Sequence, residues 1–288
     1  MNNLKVFLLM LVLMAVFMGI GYRFGGQSGM VIAFVIATAM NFVSYWFSDK
    51  LVLKMYKARE VSESDHPRLY GVVRRITTAA MMPMPKVYVV PSRAPNAFAT
   101  GRDANHAAVA ATEGLLEILT EDELEGVMGH ELAHVQNKDM LIGTIAATFA
   151  GAIGILSMVA RWGAIFGGYG RDNDRGGGFG LLIAAIVAPL VAILIQTAIS
   201  RQREYKADAR GGELTGKHES LASALEKLHR SPVQLRLDEK PGTANLMIVN
   251  PLSGKGLSSL FSTHPPVEER TKRLRKLAKD TLYSGHVR

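Results

Sequence analysis

The sequence predicts a mainly α-helical membrane protein with four apolar helices and a small β-sheet. Three observations indicate this fold class: a composition that is 48% hydrophobic and only 20% charged, a mean hydropathy of +0.14, and four long segments without a charged residue. A membrane-spanning helix needs roughly 20 apolar residues to cross the hydrocarbon core. The four segments approach or reach this length, and stretches of soluble character lie between and after the two pairs that they form.

The first two uncharged segments, Val6–Tyr22 and Gly29–Ser48, predict an antiparallel transmembrane hairpin with a very short connection. A secretory signal peptide is the competing interpretation of the first segment, but no small-residue cleavage site follows it. Only Arg23 lies between the segments, whereas basic residues flank both outer ends: Lys5, Lys50, Lys54, Lys57 and Arg59. The positive-inside rule therefore predicts that both outer ends face the cytoplasm.

Residues 50–140 are soluble in character and predict a helix followed by short strands. Pro67 suits the first turn of an amphipathic helix. Val87–Val90 is rich in β-branched and aromatic residues, as strands are. Asn96–Gly101 and His106–Ala111 predict two further strands joined by a turn. We therefore expect a small sheet before the next helix.

A second helix of this region is predicted to begin after Thr120. Thr120 and Glu123 match a capping box, in which each side chain accepts a hydrogen bond from a backbone N–H at the helix start. Gly126 and Gly129 disfavour the helix by about 1 kcal/mol each relative to alanine. Apolar residues spaced by four nevertheless form a stripe along it: Leu124, Met128 and Leu132.

This helix carries His130-Glu131-Leu132-Ala133-His134, an H-E-x-x-H pattern. Histidines four residues apart lie on the same helix face, close enough to bind one zinc ion. Zinc lowers the pKa of a bound water to roughly 7, and Glu131 is placed to accept a proton from it as the catalytic base. The chain has no cysteine, so any metal must use nitrogen and oxygen ligands. A chance match of three letters is the alternative, and the capped helix disfavours it.

The third and fourth uncharged segments, Leu141–Ala160 and Phe179–Ser200, predict a second transmembrane hairpin. A buried hairpin in a soluble core is the alternative, which their length and lack of charge disfavour. Gly167–Gly180 between them is rich in glycine but lacks the G-K-[ST] of a phosphate-binding loop, so we expect a connector and no nucleotide. Basic residues follow the fourth segment and again indicate a cytoplasmic exit: Arg201, Arg203, Lys206 and Arg210.

A catalytic zinc site needs a third protein ligand. The zinc-protease pattern with a further glycine and histidine is excluded, because Asn137 and Met140 occupy those positions. Glu204 and Asp208 share a helix face after the fourth apolar segment. We expect Glu204 to be the third metal ligand and Asp208 to accept the ring N–H of a ligating histidine. An ordinary exposed acidic pair is the alternative.

The chain resembles the HtpX-type membrane zinc metallopeptidases, relatives of the CAAX prenyl endopeptidases, over essentially its whole length. The resemblance rests on GHELAHVQNKD, SRQREYKAD, PNAFATG, STHPP and the apolar layout. It implies a zincin-like catalytic domain of the gluzincin type, with one zinc ion per chain, facing the cytoplasm from a bacterial-type inner membrane. It also implies a stress-response endopeptidase that cuts misfolded or damaged membrane proteins.

The resemblance further implies an edge strand that binds extended substrate, which maps onto Asn96, Ala97, Phe98 and Ala99. A simple core hairpin is the alternative for these residues. His264 directly precedes a predicted helix and is a candidate catalytic residue, through oxyanion stabilisation or contact with zinc. Capping or packing at the helix start is the alternative for His264.

Four ranges summarise the predicted organisation: a transmembrane hairpin (1–49), the first part of the catalytic domain with the zinc-motif helix (50–140), a second hairpin (141–200), and the second part of the catalytic domain with the third ligand (201–288). The last predicted helix, Val267–Lys279, carries basic residues that we interpret as a solvated face. The net charge of +8 is explained by bases at membrane edges, and no motif indicates a nucleic-acid partner.

Two rival functions are open at this point. An intramembrane protease would bury the four acidic residues that precede His130, at a cost of several kcal/mol. A membrane scaffold or transporter with a structural zinc would require a fourth protein ligand that closes the site. Three protein ligands and a water would instead indicate catalysis.

Overall fold

The computed structural model describes residues 2–137, 139–141, 145, 201–231 and 265–285. Within them the helices are α1 (Asn2–Met55), α2 (Pro67–Ala79), α3 (Glu113–Ile118), α4 (Glu121–Gln136), α5 (Arg201–Thr215), α6 (His218–Arg230) and α7 (Val267–Gly285). The strands are β1 (Arg59–Glu60), β2 (Lys86–Val90), β3 (Ala97–Gly101) and β4 (Ala107–Thr112). The described protein is therefore mainly helical with a small mixed sheet, as predicted. Most of the third apolar segment, all of the fourth, the glycine-rich connector and His264 lie outside the described residues.

The long helix α1 folds back on itself as a hairpin. It bends at Gly26, which has φ 57° and ψ −144°, a conformation that glycine adopts without steric cost. Across the hairpin, Asn41 Nδ2 donates a hydrogen bond to the backbone oxygen of Met10 at 3.2 Å. A Cβ on Gly21 would collide with the backbone oxygen of Gly29, so the two halves touch through their backbones. The predicted antiparallel pair with a very short connection is present.

Two stretches of α1, Val6–Arg23 and Gly25–Phe47, are long and apolar enough to cross a membrane. Only 12% and 17% of their residues are buried, so most of this apolar surface faces outward. Large exposed side chains line both halves, among them Leu8, Leu11, Ile32, Val35 and Phe42. So much contiguous exposed apolar surface on two helices of spanning length indicates a membrane protein. These are two of the four apolar helices that the sequence predicts.

The sheet has the strand order β1-β2-β4-β3. The predicted hairpin is present as β3 and β4, which pair antiparallel with Ala97 opposite Ala111 and Gly101 opposite Ala107. Gly101 has a φ of 136°, which favours glycine where the chain turns. The strand β2 pairs with β4 in parallel and with β1 antiparallel. The two-residue strand β1 was not predicted, because two residues show no periodicity.

The two faces of the sheet pack against different parts of the molecule. Side chains that alternate along the strands point to one face and join the core beneath α2 and α4: Val87, Val89, Ala97, Ala99, Val109 and Ala111. The intervening residues pack against Val52 and Leu53 at the end of α1: Val90, Phe98, Ala108 and Ala110. The apolar hairpin therefore continues, without a break in its second helix, onto the face of the sheet opposite α4.

The helix α4 lies at the centre of the soluble part. Its capping box is formed as predicted: Thr120 Oγ1 accepts from the Glu123 N–H at 3.4 Å, and a Glu123 carboxylate oxygen accepts from the Thr120 N–H at 2.9 Å. Leu124, Met128 and Leu132 are fully buried. Apolar residues from α2, β4, α4, α6 and α7 belong to a single core cluster. The chain before residue 140 and the chain after residue 200 thus share one hydrophobic core.

Candidate metal centre

The helices α4 and α5 pack closely together because glycines lie where they meet. A Cβ on Gly129 would lie 2.7 Å from Thr215 Cγ2 and 2.9 Å from the Gly211 oxygen. A Cβ on Gly211 would lie 2.6 Å from the His130 backbone nitrogen. No side chain larger than hydrogen fits at either position without moving a helix. This close approach brings the N-terminal turn of α5 to the histidine face of α4.

Three predicted ligands converge where the helices cross. His130 Nε2 lies 3.2 Å from His134 Nε2. The carboxylate of Glu204 lies 3.6 Å from His130 Nε2 and 3.5 Å from His134 Nε2. One ligand atom from each residue lies within 4.8 Å of the others. His130 and Glu204 are buried, whereas His134 is partly exposed.

These distances fit a single small cation. Two ligands bound tetrahedrally at about 2.0–2.1 Å are about 3.3 Å apart, which matches the spacing of the three groups. Asp208 Oδ1 is 2.9 Å from His130 Nδ1, so Nδ1 carries the proton and Nε2 presents its lone pair to Glu204 and His134. A lone pair and a carboxylate facing each other in a buried site are repulsive unless a cation or a proton lies between them. The donor set, two imidazoles and one carboxylate, is one that zinc prefers.

Asp208 is held in place by an arginine from the last helix. The Arg270 guanidinium donates from Nε to Asp208 Oδ2 at 2.8 Å and from Nη2 to Oδ1 at 2.6 Å. Burial alone would raise the pKa of Asp208, but the charge and hydrogen bonds of Arg270, aided by His130, lower it to about 2. Burial is the main reason that the pKa of His130 lies below its ordinary value. Asp208 is therefore an ionised acceptor for the ring of a neutral His130.

A second carboxylate approaches the other histidine. Asp139 Oδ2 lies 3.6 Å from His134 Nδ1, and Asp139 Oδ1 lies 3.8 Å from Arg203 Nη1. Burial acts to lower the pKa of His134, but Asp139, Glu204 and Glu131 outweigh it and raise the pKa to about 9 in the metal-free site. A cation bound between His130, His134 and Glu204 would compete with the proton on His134, because a histidine that binds a metal must be neutral.

Glu131 projects beside the three ligands and is only 6% exposed. Burial raises the pKa of its carboxyl to about 7, while the charge of His134 and a hydrogen bond from the Ala99 N–H act in the opposite direction. A cation bound nearby would lower this pKa further. Glu131 is therefore close enough to His134 and Glu204 for their charges to shift its pKa, and it faces strand β3 through Ala99.

Strand β3 lies at the end of the sheet order among the described residues, on the side of α4. Asn96, directly before it, exchanges hydrogen bonds with Thr112: the Thr112 N–H donates to the Asn96 oxygen at 2.9 Å, and the Asn96 N–H donates to Thr112 Oγ1 at 2.8 Å. Since antiparallel partners alternate, Ala97 and Ala99 direct their backbone N–H and C=O groups away from β4. Phe98 points to the opposite face, where its ring lies 5.1 Å from that of Tyr56.

Two residues of the cluster were not predicted from the sequence, Arg270 and Asp139. The interpretation of the last helix as carrying only a solvated basic face is wrong for Arg270, which is 1% exposed. A signal existed, because Arg270 lies in the buried stripe that includes Val267 and Leu274, where an apolar residue is expected. Asp139 gave no such signal, since its proximity to His134 depends on how the chain turns after α4.

Comparisons with known proteins agree with this geometry. The model of peptidase family M48 matches residues 63–278. A protease HtpX homolog from Desulfatibacillum aliphaticivorans is 54% identical over 275 residues, which cover 95% of this chain and 89% of that protein. A protease HtpX homolog from Thermococcus kodakarensis is 51% identical over 279 residues, which cover 96% of each.

A solved structure shares the fold. The crystal structure of S. mikatae Ste24p aligns with 91% of this chain and 62% of that chain, with a TM-score of 0.53 and 16% sequence identity. This chain therefore spans less than two thirds of that protein. The family match over most of the chain, the relatives at about half identity and the two-histidine, one-glutamate cluster lead to one conclusion. The chain belongs to peptidase family M48 and is a metallopeptidase of the HtpX type.

Proposed function

We propose that this protein is a zinc-dependent endopeptidase that hydrolyses peptide bonds of misfolded or damaged membrane proteins at the cytoplasmic face of the membrane. The observation that carries the proposal is the convergence of His130, His134 and Glu204 at 3.2–3.6 Å, with Glu131 beside them. Membership of a peptidase family supports hydrolysis of polypeptides. The apolar hairpin of α1 supports substrates that are themselves in or near the bilayer.

In the proposed site, His130, His134 and Glu204 hold one zinc ion. When bound, zinc would act as a Lewis acid on the scissile carbonyl and lower the pKa of water. Asp208 keeps His130 in the tautomer that leaves Nε2 free. The buried position of His130 and Glu204 excludes bulk water from most of the cluster, which strengthens electrostatic interactions there.

Glu131 is the proposed catalytic base. Its carboxylate accepts a proton from the attacking water and returns that proton to the nitrogen of the leaving amine. The Ala99 N–H faces this carboxylate and lowers its pKa, which places Glu131 next to strand β3. The general base is thereby aligned with the strand along which the substrate is proposed to lie.

Substrate would bind as an additional strand on β3, in contact with Asn96, Ala97, Phe98 and Ala99. The outward-facing N–H and C=O of Ala97 can exchange hydrogen bonds with an extended chain, and the Ala99 oxygen can accept one, whereas the Ala99 N–H faces Glu131. Backbone recognition is largely independent of sequence, which suits an enzyme that acts on many damaged proteins.

His264, which lies outside the described residues, stays a proposed participant in oxyanion stabilisation or zinc contact.

The proposed arrangement is a multi-pass protein in a bacterial-type inner membrane, with hairpins at 1–49 and 141–200 and a catalytic domain formed by 50–140 and 201–288. Lys50, Lys54, Lys57 and Arg59 support a cytoplasmic location for the end of α1. Since that end packs on the sheet, the catalytic domain would lie on the same side. Partners would be the lipid bilayer and polypeptide chains, without nucleic acid or nucleotide.

The proposal is tested by zinc-dependent cleavage of casein by the detergent-solubilised protein, compared with Glu131→Gln. We expect activity in the wild type that a chelator abolishes and added Zn²⁺ restores. Glu131→Gln should retain zinc while losing roughly 10²–10⁴-fold in rate, because a general base contributes about that factor. Zinc content of both proteins is measured by atomic absorption in the same samples.

Two outcomes would contradict the proposal. Full activity in Glu131→Gln would exclude Glu131 as the base. Zinc bound by wild-type protein without any cleavage of casein or of an unfolded membrane protein would favour a closed structural site, and the coordination number of the metal would then be measured. Cuts in a membrane substrate that lie only in periplasmic loops would contradict the cytoplasmic placement.

A further inference from the structure

Arg270 is a fully buried cation beside the ligand cluster, and among the described residues its ion-pair partners are Asp208 and Glu204. Its side chain lies in the stripe of α7 that packs into the core between Val267 and Leu274. Burying a guanidinium costs several kcal/mol unless charged partners compensate. Compensation comes mainly from Asp208, which forms two hydrogen bonds with Arg270, and further charge comes from Glu204, 3.9 Å from Nη1.

The two hydrogen bonds determine the orientation of the Asp208 carboxylate. Asp208 Oδ1 lies 2.6 Å from Arg270 Nη2 and also 2.9 Å from His130 Nδ1, while Oδ2 lies 2.8 Å from Arg270 Nε. A planar guanidinium bonded to both oxygens prevents the carboxylate from rotating. Asp208 Oδ1 thus accepts a hydrogen bond from Arg270 and also sets the plane of the His130 ring.

We propose that Arg270 is a positioning residue for the metal ligand His130 and acts through Asp208. It couples the docking of α7 to the geometry of the ligand cluster, although α7 supplies no proposed metal ligand within the described residues. The inference rests on the proposed metal site. Mutation of a residue that orients a metal ligand without binding the metal itself usually weakens metal affinity by roughly 10–100-fold.

A merely structural role for Arg270 makes a different prediction. Buried ion pairs often stabilise a fold little more than apolar residues of similar size. A neutral residue at position 270 would then change the unfolding temperature, but it would leave the metal affinity and the ligand geometry of the folded protein unchanged. Affinity and geometry are therefore the quantities that separate the two roles.

The experiment compares Arg270→Met and Arg270→Lys with the matched control Arg275→Met in the full-length protein. Arg275 belongs to the same helix and also forms ion pairs, with Glu219 at 2.9 Å and Glu226 at 2.8 Å, but these are on the exposed side facing α6. Zn²⁺ affinity is measured by competition with a chelator. The visible absorption spectrum of the Co²⁺-loaded protein reports the coordination geometry independently of activity.

We expect Arg270→Met to bind Zn²⁺ roughly 10–100-fold more weakly and to show an altered Co²⁺ spectrum. Arg270→Lys should recover part of the affinity, since lysine restores the charge without the planar pair of donors. Arg275→Met should match the wild type in both measurements. Wild-type affinity and spectrum in Arg270→Met would overturn the inference.

A double variant tests the route through Asp208. Adding Arg270→Met to Asp208→Asn should cause no further loss of Zn²⁺ affinity if Arg270 acts only through Asp208. If the losses of Zn²⁺ affinity from the two substitutions add in the double variant, Arg270 does not act through Asp208, and this part of the inference is wrong. If Arg270→Met fails to fold, Arg270→Lys and the double variant, which removes Arg270 and its hydrogen-bonded partner Asp208 together, decide the question.

Failure of this inference is distinguishable from failure of the proposed function. If the wild-type protein binds neither Zn²⁺ nor Co²⁺, or if His130→Ala binds these ions as tightly as the wild type, then the proposed metal site is wrong. If the wild type binds them and His130→Ala does not, the metal site stands. The Arg270 variants then test the positioning role alone.

Discussion

At the scale of single residues, His130 and His134 are held with unequal firmness. His130 Nδ1 is 2.9 Å from Asp208, within a hydrogen-bonded and fully buried set. His134 Nδ1 is 3.6 Å from Asp139, and the nearest guanidinium atom of Arg203 is 3.8 Å from that aspartate. His130 therefore has an orientation set before a metal binds, whereas His134 retains room to adjust.

The difference predicts unequal effects of removing the two carboxylates. Asp208→Asn should weaken Zn²⁺ binding by roughly 10–100-fold, because it loosens His130 and leaves Arg270 without its ionised partner. Asp139→Asn should weaken binding by less. Isothermal titration of the metal-free proteins with Zn²⁺ measures both, and a larger loss in Asp139→Asn would contradict the assignment of His130 as the more firmly held ligand.

At the scale of elements, the crossing of α4 and α5 depends on glycine. From the sequence alone, Gly126 and Gly129 are expected only to reduce helix stability. In the fold each provides a close approach to a different helix: a Cβ on Gly126 would lie 2.9–3.0 Å from Leu221 of α6, and one on Gly129 would meet Thr215 and Gly211 of α5. The short distance between helices is what places Glu204 opposite the two histidines.

Gly129→Ala is predicted to destabilise the protein by about 1–3 kcal/mol, because the added methyl group overpacks the crossing. It should also weaken Zn²⁺ binding, since α5 must move away from α4. Gly71→Ala in α2 is the control, because a Cβ there would meet only Arg75 Nη1 at 3.8 Å. That variant should be neutral or stabilising in thermal unfolding, and equal effects of the two substitutions would contradict the argument.

The start of α4 predicts a pH dependence of stability that is separate from the metal site. Burial raises the pKa of Glu123, but hydrogen bonds from Lys227, Thr120 and Ser223 outweigh burial and hold the pKa below its ordinary value. A carboxyl whose pKa is lower in the folded state stabilises the fold above its unfolded pKa of about 4.3. That contribution is lost as the pH falls through the lower folded-state pKa.

Glu123→Gln should therefore lower the free energy of unfolding by about 1 kcal/mol at pH 7, through loss of the ionised cap and of the Lys227 pair. The difference from the wild type should shrink as the pH falls below about 4. Thermal unfolding at pH 7 and pH 3.5 measures it, with Glu117→Gln on the exposed face of α3 as the control. A difference that is constant with pH would mean that the charge of Glu123 is unimportant.

At the scale of the whole molecule, the apolar hairpin and the soluble core are one continuous piece of structure. The second half of α1 runs from the bend at Gly26 to Met55 and packs against the sheet through Val52 and Leu53. Arg102, in the turn after β3, lies 4.7 Å over the ring of Trp46 on α1. The sheet edge proposed to bind substrate is thus tied directly to the helix proposed to cross the membrane.

This continuity predicts the sidedness of the protein. The chain has no cysteine, so single cysteines at Gln27 and Ser64 can be labelled without background. In intact spheroplasts an impermeant maleimide should label Gln27→Cys, near the bend, but not Ser64→Cys. Inverted vesicles should give the reverse pattern. Labelling of Ser64→Cys in spheroplasts would contradict a cytoplasmic catalytic domain.

The sequence by itself determined what short-range physics controls. Helix periodicity, the capping box at Thr120 and the i, i+4 spacing of His130 with His134 and of Glu204 with Asp208 are properties of neighbouring residues on one helix. The same holds for the apolar halves of α1 and for the β3–β4 hairpin, whose turn is short. These features were predicted because no distant part of the chain is needed to form them.

Only the tertiary structure decided which helices meet and at what distance. The 3.5–3.6 Å spacing of Glu204 from the two histidines, the insertion of Arg270, the position of Asp139 and the parallel pairing of β2 with β4 all join segments that are not adjacent along a single element. Such contacts depend on packing around a shared core, where a buried charge is accepted only if partners from other elements compensate it. For that reason the candidate ligands and Asp208 could be named from the sequence, whereas Arg270 and Asp139 could not.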